Sequence, residues 1–186
     1  RWGEARTRLI KDGNRITGVH GIVRDITDKM KLEMALRVSE TQYRELFENA
    51  SDCIYTINLD GQFLTANNSV AKAMKCTSVE EVLASNMSRW MTPESLEKAI
   101  KFIQEVITEE DYYNKSVVIE IIRKYGKHVW FEHKARPLKN NKNKIIGLHG
   151  IGRDITEKIR LEQELKESEA KYRELFENAQ DAMYVL

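Results

Sequence analysis

Between residues 52 and 66 the chain alternates in steps of two. Cys53, Tyr55, Ile57 and Leu59 fall on one face and Ile54, Thr56 and Asn58 on the other; Asp60-Gly61 then turns into a second run, 62–66. The pattern predicts a β-hairpin with a type I′ turn at Asp60-Gly61. The period then changes. Asn67 or Asn68 caps a short helix bearing Val70, Ala71 and Met74, and Ser78 with Glu81 reads as a capping box ahead of Val82 and Leu83. Thr92-Pro93 opens a longer helix, 93–110, on which Leu96, Ile100, Ile103 and Ile107 share a face widened by Ala99 and Val106. Alternation returns in three further runs, 116–124, 127–138 and 144–153. In the middle one Val129, Phe131, His133 and Ala135 oppose Trp130, Glu132, Lys134 and Arg136. Two strands, a block of helices and three strands predict an α+β domain, one antiparallel sheet with helices on one face.

The two ends of this unit are near-copies. Residues 147–179 repeat 18–50 at a constant offset of 129, with 22 of 33 positions identical, so the joint of a tandem array occurs twice. Each copy runs from a Gly-rich apolar strand through Asp-Ile-Thr into a charged helix. The expected boundaries follow. Residues 1–27 are the C-terminal strands of a preceding repeat, turning at Lys11-Asp12-Gly13-Asn14; they match 130–156 with one residue fewer in the turn. Residues 28–50 form a linker helix, with Thr27 as its N-cap. A complete domain occupies 51–156, a second linker helix 157–179, and the first strand of a following repeat 180–186. On this reading the chain is a piece of a longer tandem protein.

In the linker helices Leu32, Leu36, Ser39, Tyr43 and Leu46, and again Leu161, Leu165, Ser168, Tyr172 and Leu175, follow one another by 4, 3, 4 and 3 residues. That is an a/d seam among Glu, Lys and Arg, as in a short coiled coil, with a serine weakening each seam at its middle. The leucines and tyrosines are the expected dimer seam.

Composition narrows the class. Net charge is +1 with both signs interspersed, which gives no electrostatic case for nucleic acid. No apolar run approaches the roughly 18 residues that span a bilayer, and no signal peptide is visible. No direct membrane contact and a cytoplasmic location are therefore expected, although a parent protein could be anchored elsewhere. Cys53 and Cys76 make neither a disulfide framework nor a metal site.

The order of elements and several motifs resemble the PAS domain family. The matching pieces are D-x-x-Y-x-I-x-L-D-G-Q-F at 52–63, Ala66-Asn67, W-F-E-H-K-A-R-P-L at 130–138 and G-I-G-R-D-I-T at 150–156. The resemblance implies a five-stranded antiparallel sheet cupping a small cavity, flanked by long amphipathic helices that dimerise and pass on conformational changes. It implies pocket positions at Tyr55, Ile57, Met74, Trp90, Ile103, Ile119, Phe131, His133 and Leu148. It also implies signal-relay positions at Asp154, Ile155 and Thr156, and at Asp25 and Thr27 of the first copy. Trp90, Met87 and Met91 either line the cavity or pack against the sheet.

Candidate chemistry is sparse. No Walker loop, H-E-x-x-H, G-x-S-x-G or kinase phosphoacceptor pattern occurs, so the fragment is expected to be non-catalytic, though its parent could be a histidine kinase. His133 lies on the apolar parity of its strand. It either hydrogen-bonds or ligates something in the cavity, or is a core imidazole with a local partner. His20 and His149 are one position in two copies, with no further metal ligands beside them. The cofactor stays unknown. Haem-binding members of the family often take a histidine from the long helix, which has none here, and the flavin adduct cysteine is missing from 84–90. Cys53 reads as a small core residue.

The expected function is that of a sensory or relay module. It would sense a small ligand or cellular cue and transmit it through Asp-Ile-Thr-linked, dimerising helices to an output domain. The alternative is a ligand-free architectural dimerisation spacer in an array. Its partners would be a second copy of itself, neighbouring repeats in cis and the output domain.

Overall fold

The computed structural model describes residues 1–108 and 115–177. The end of the long helix at 109–110, the last residues of the second linker helix at 178–179 and the strand expected at 180–186 lie outside the described residues. The chain divides into two compact units, Arg1–Leu46 and Phe47–Leu186.

In the first unit β1 (Gly3–Asp12) and β2 (Arg15–Asp25) form an antiparallel hairpin, and α1 (Thr27–Asn49) follows. Gly13 turns the hairpin at φ +60°, the position at which a two-residue type II′ loop needs glycine. Apart from half-buried Gly18, every residue of both strands is exposed. The helix does not start as the sequence suggests. Ile26 O accepts the first helical bond, from Met30 N, so Thr27 is already inside the helix. The cap is the Asp25 carboxylate, which accepts from Thr27 N at 2.9 Å.

The second unit contains β3 (Cys53–Asn58), β4 (Phe63–Ala66), α2 (Asn68–Met74), α3 (Val79–Leu83), a 3-10 turn (Met87–Trp90), α4 (Pro93–Thr108), β5 (Val117–Ile122), β6 (His128–Lys139), β7 (Ile145–Asp154) and α5 (Thr156–Glu177). The sheet order is β4-β3-β7-β6-β5, all neighbours antiparallel. The last strand in sequence is therefore the middle strand in space.

All three hairpins of this sheet use a three-residue loop rather than a type I′ turn. At the first, Asn58 N donates to Gln62 O and Gly61 N to Asn58 O, and only Gly61 has positive φ, at +80°. Asp60 keeps the ordinary negative φ, since the left-handed region is costly for a residue with a Cβ. Asn58 Oδ1 accepts from the amides of Asp60 and Gln62, which fixes the loop. Asn140 repeats this scheme with Asn143 at φ +59°, and Arg123 repeats its backbone part with Gly126 at φ +78°.

Helices cover the inner face and are pinned at the sheet edges. Asn67 is fully buried and caps α2 by accepting from Val70 N. Its amide also donates to Phe47 O and Asp52 O, and its Oδ1 accepts from Ile54 N. Ser95 Oγ accepts from Glu120 N, which hooks α4 onto edge strand β5, and Thr92 Oγ1 caps that helix through Ser95 N. Two expectations fail here. The Ser78/Glu81 capping box does not form: Ser78 makes no cap bond, and Glu81 is held instead by Thr77 N, Thr77 Oγ1 and Lys124 Nζ. The face α4 buries is Ser95, Ala99, Phe102 and Val106. Leu96, Ile100 and Ile107 lie one step around the helix, along an open groove with Leu59 and Met87, because β5 and β6 contact the Ala99/Phe102 side.

Candidate functional site

Alternation on the strands sends one row of side chains from each toward the helices. Cys53, Tyr55 and Ile57 come from β3, Ile119 and Ile121 from β5, Val129, Phe131 and His133 from β6, and Leu148 from β7. Between this floor and the roof of α2, α4 and the 3-10 turn lies a cavity of about 50 Å³. All nine sequence candidates, Tyr55, Ile57, Met74, Trp90, Ile103, Ile119, Phe131, His133 and Leu148, stand in its wall. Met87 and Met91 line it as well. The Trp90 indole is buried and donates to Ser85 Oγ at 2.8 Å, so it presents only carbon to the interior.

The polar part of the wall is a pair. His133 Nδ1 and Tyr55 OH are 2.8 Å apart; Phe63 meets the Tyr55 ring edge-on, and Phe131 lies tilted by 31° against His133. His133 is 7 % exposed; its Nε2 is buried and has no hydrogen-bond partner among the described residues. Burial alone pushes its pKa down to about 4, which keeps the imidazole neutral, and burial raises that of Tyr55. The Cys53 thiol is pushed up to about 12 by burial and its Sγ faces Ser69 O, so it packs as a small apolar group.

Glycines on β7 make room for this pair. A Cβ on Gly150 would lie 2.3 Å from the Tyr55 ring, and one on Gly152 would lie 2.9 Å from His133 Cε1. Gly147 passes so close to β3 that a Cβ there would meet Ile57 O at 2.1 Å. The sequence reading did not single out these glycines as site residues, nor Phe102. Spacing of the three glycines by three and two on one strand was the available signal; for Phe102 it was the i, i+3, i+7 row Ala99, Phe102, Val106.

From the cavity, β7 runs directly into the joint. His133 pairs with Gly152, two residues before Asp154. Asp154 Oδ1 accepts from Thr156 N and its Oδ2 from Arg123, both at 2.9 Å. Ile155 N donates to Trp130 O, and Thr156 Oγ1 accepts from Trp130 N. The Arg153 guanidinium holds the Asp52 carboxylate through two bonds and lowers its pKa. In the first unit Asp25, Ile26 and Thr27 repeat the Asp–Thr bond and the two Trp bonds, with Trp2 in the place of Trp130. Beyond each joint the seam residues Leu32, Leu36, Tyr43 and Leu46, and Leu161, Leu165, Tyr172 and Leu175, are all more than half exposed.

Among the described residues there is no cluster of three or more His, Cys, Asp or Glu that could hold a metal, and no helix long and apolar enough to cross a membrane.

Comparison with known proteins bears on the same segment. The chain is 28 % identical over 169 residues to sporulation kinase E of Bacillus subtilis (strain 168), covering 90 % of this chain and 22 % of that one. It thus spans less than a quarter of the curated relatives it matches. A PAS domain from Colwellia psychrerythraea superposes with a TM-score of 0.56 at 21 % identity, over 63 % of this chain and 98 % of that one. A domain of a sensory box sensor histidine kinase/response regulator from Geobacter sulfurreducens gives 0.51 at 22 %, over 64 % and 96 %. The model of the PAS fold matches residues 47–160, from the last turn of α1 through the sheet and into the start of α5. With that match over more than half its length and the β4-β3-β7-β6-β5 sheet beneath it, the chain belongs to the PAS fold family.

Proposed function

We propose that this chain is a sensory relay module of a larger signalling protein. A small ligand or cellular cue acts in the cavity, and the output leaves through α5. The observation that carries this reading is the placement of His133. His133 lines the cavity with its Nε2 buried and unpartnered among the described residues, while its ring rests against Gly152 on the strand that ends in Asp154-Ile155-Thr156. A ring displaced by an occupant presses on β7, and β7 has one free direction, along its axis into the joint. The joint transmits the movement because Thr156 and Asp154 tie the first turn of α5 to β6 and to the Arg123 hairpin. Two packed arrangements of a helix pair then convert a small shift into a discrete output.

The receiving element is the exposed seam Leu161/Leu165/Tyr172/Leu175, paired with that of a second copy, as Leu32/Leu36/Tyr43/Leu46 is in the first linker. Residues 1–27 serve as the closing strands of a preceding repeat and 51–156 as the complete receiver. The likeness to a sporulation kinase supports a histidine kinase as parent, with the module non-catalytic and cytoplasmic. Leu165→Glu tests the seam. It places a charge at an a position, and sedimentation should show a dimer become a monomer while the thermal transition of the domain is unchanged. An oligomer that persists in this variant overturns the relay. Native mass spectrometry of protein purified from its own host tests the input, since a spacer would carry no bound small molecule.

A further inference from the structure

Resting on that reading, we propose that the cavity takes a small neutral molecule with one hydrogen-bond acceptor, such as a carbonyl oxygen. Nε2–H of His133 receives it, in a tautomer selected by Tyr55. The tautomer follows from counting partners. If Nδ1 carried the proton it would donate to the phenol oxygen; the phenol O–H would then have no acceptor and Nε2 no donor. If the phenol donates to Nδ1, the only unmet donor is Nε2–H. Leaving a buried polar group unmet is costly, so the arrangement with one unmet donor prevails, and that donor selects an acceptor.

Charge and size restrict the class further. Among the described residues no Asp, Glu, Lys or Arg lines the cavity, and burial holds both His133 and Tyr55 in their neutral forms. An ion would enter with nothing to offset its lost hydration. The volume of about 50 Å³ is several times the roughly 10–15 Å³ that one water requires. It suits a handful of heavy atoms, far short of a haem or flavin ring system. Met74, Met87 and Met91 in the wall can repack around such a guest.

The test uses the whole chain with nitrogen-15 in histidine and carbon-13 in methionine methyls, titrated with acetone, its apolar isostere isobutene, and acetate. Before any addition, NMR should show His133 Nε2 protonated and Nδ1 bare. Acetone should shift both Nε2 and the methionine methyls saturably, isobutene should bind about tenfold more weakly, and acetate should not bind. Tyr55→Phe should mix the two tautomers. His133→Phe, which keeps an aromatic ring but offers no donor, should erase the preference for acetone. A proton on Nδ1, isobutene equal to acetone, or acetate binding overturns the proposal. If the methyls still respond in those cases, the cavity reading survives while the role of His133 falls. If no methyl responds to any probe, both fall.

Discussion

The two joints are written in nearly the same letters and share three hydrogen bonds, yet they stand in different surroundings. At each, an Asp caps the helix through the Thr amide, an Ile amide binds a Trp carbonyl, and the Thr hydroxyl accepts from the Trp amide. These contacts arise between residues joined by one hairpin, so they form whether or not a packed face lies beneath. The glycines upstream differ. Gly147 and Gly150 are pressed against β3, where a Cβ would meet Ile57 O at 2.1 Å and the Tyr55 ring at 2.3 Å. Their counterparts Gly18 and Gly21 would meet nothing nearer than the Ile10 Cδ1 at 3.8 Å and the Thr7 Cγ2 at 3.4 Å. Local chemistry builds the hinge; only the surrounding domain makes the glycines necessary.

The largest expected effect separates these glycines. Gly147→Ala forces a methyl into backbone that cannot retreat without unpairing β3 from β7, and should cost about 3 kcal/mol or more. Gly18→Ala, at a φ that any residue adopts, should leave stability unchanged or raise it slightly by reducing the freedom of the unfolded chain. Thermal melts of the two variants against the parent decide the matter. Equal losses would mean that β2 is packed as tightly as β7.

Acid should also distinguish the regions, because only the second unit buries a histidine. The folded-state pKa of His133, about 4, lies below its ordinary 6.5. Between those values the unfolded chain binds the additional proton, so stability rises with pH. The contribution is complete above about pH 6.5 and lost as pH falls to about 4, on the order of 3 kcal/mol in all. His133→Phe should flatten this part of the stability profile, as read by urea unfolding at a series of pH values. A profile that keeps its slope places the titration elsewhere.

What could be read from the sequence divides along the same line. The period of two put Tyr55, Ile57, Phe131 and His133 on one face correctly, since in a strand that face is set by parity alone. The helix was less legible. Leu96, Ile100, Ile103 and Ile107 form the larger apolar row, which Ala99 and Val106 widen, but the helix buries Ser95, Ala99, Phe102 and Val106 where it contacts β5 and β6, and of the larger row only Ile103 reaches the cavity. The capping box at Ser78 failed because Lys124, distant in sequence, competes for Glu81. Likewise, no local rule pairs Tyr55 with His133; their contact depends on β7 lying between their strands and on its lacking side chains at Gly150 and Gly152.

The smallest effect tests the hydrogen bonds that the joints share. Thr156→Val keeps the shape of the side chain but removes the acceptor that holds Trp130 N, in a half-buried setting where water does not readily substitute. The loss should be about 1 kcal/mol, or about a fivefold faster exchange of the Trp130 amide hydrogen. Thr27→Val removes the same acceptor from Trp2, which is 51 % exposed and whose amide can bond to water instead. There the exchange should accelerate by no more than about threefold. If both amides respond alike, the joint is held equally by solvent at each end, and the tie between β6 and α5 is too loose to carry a displacement from the cavity.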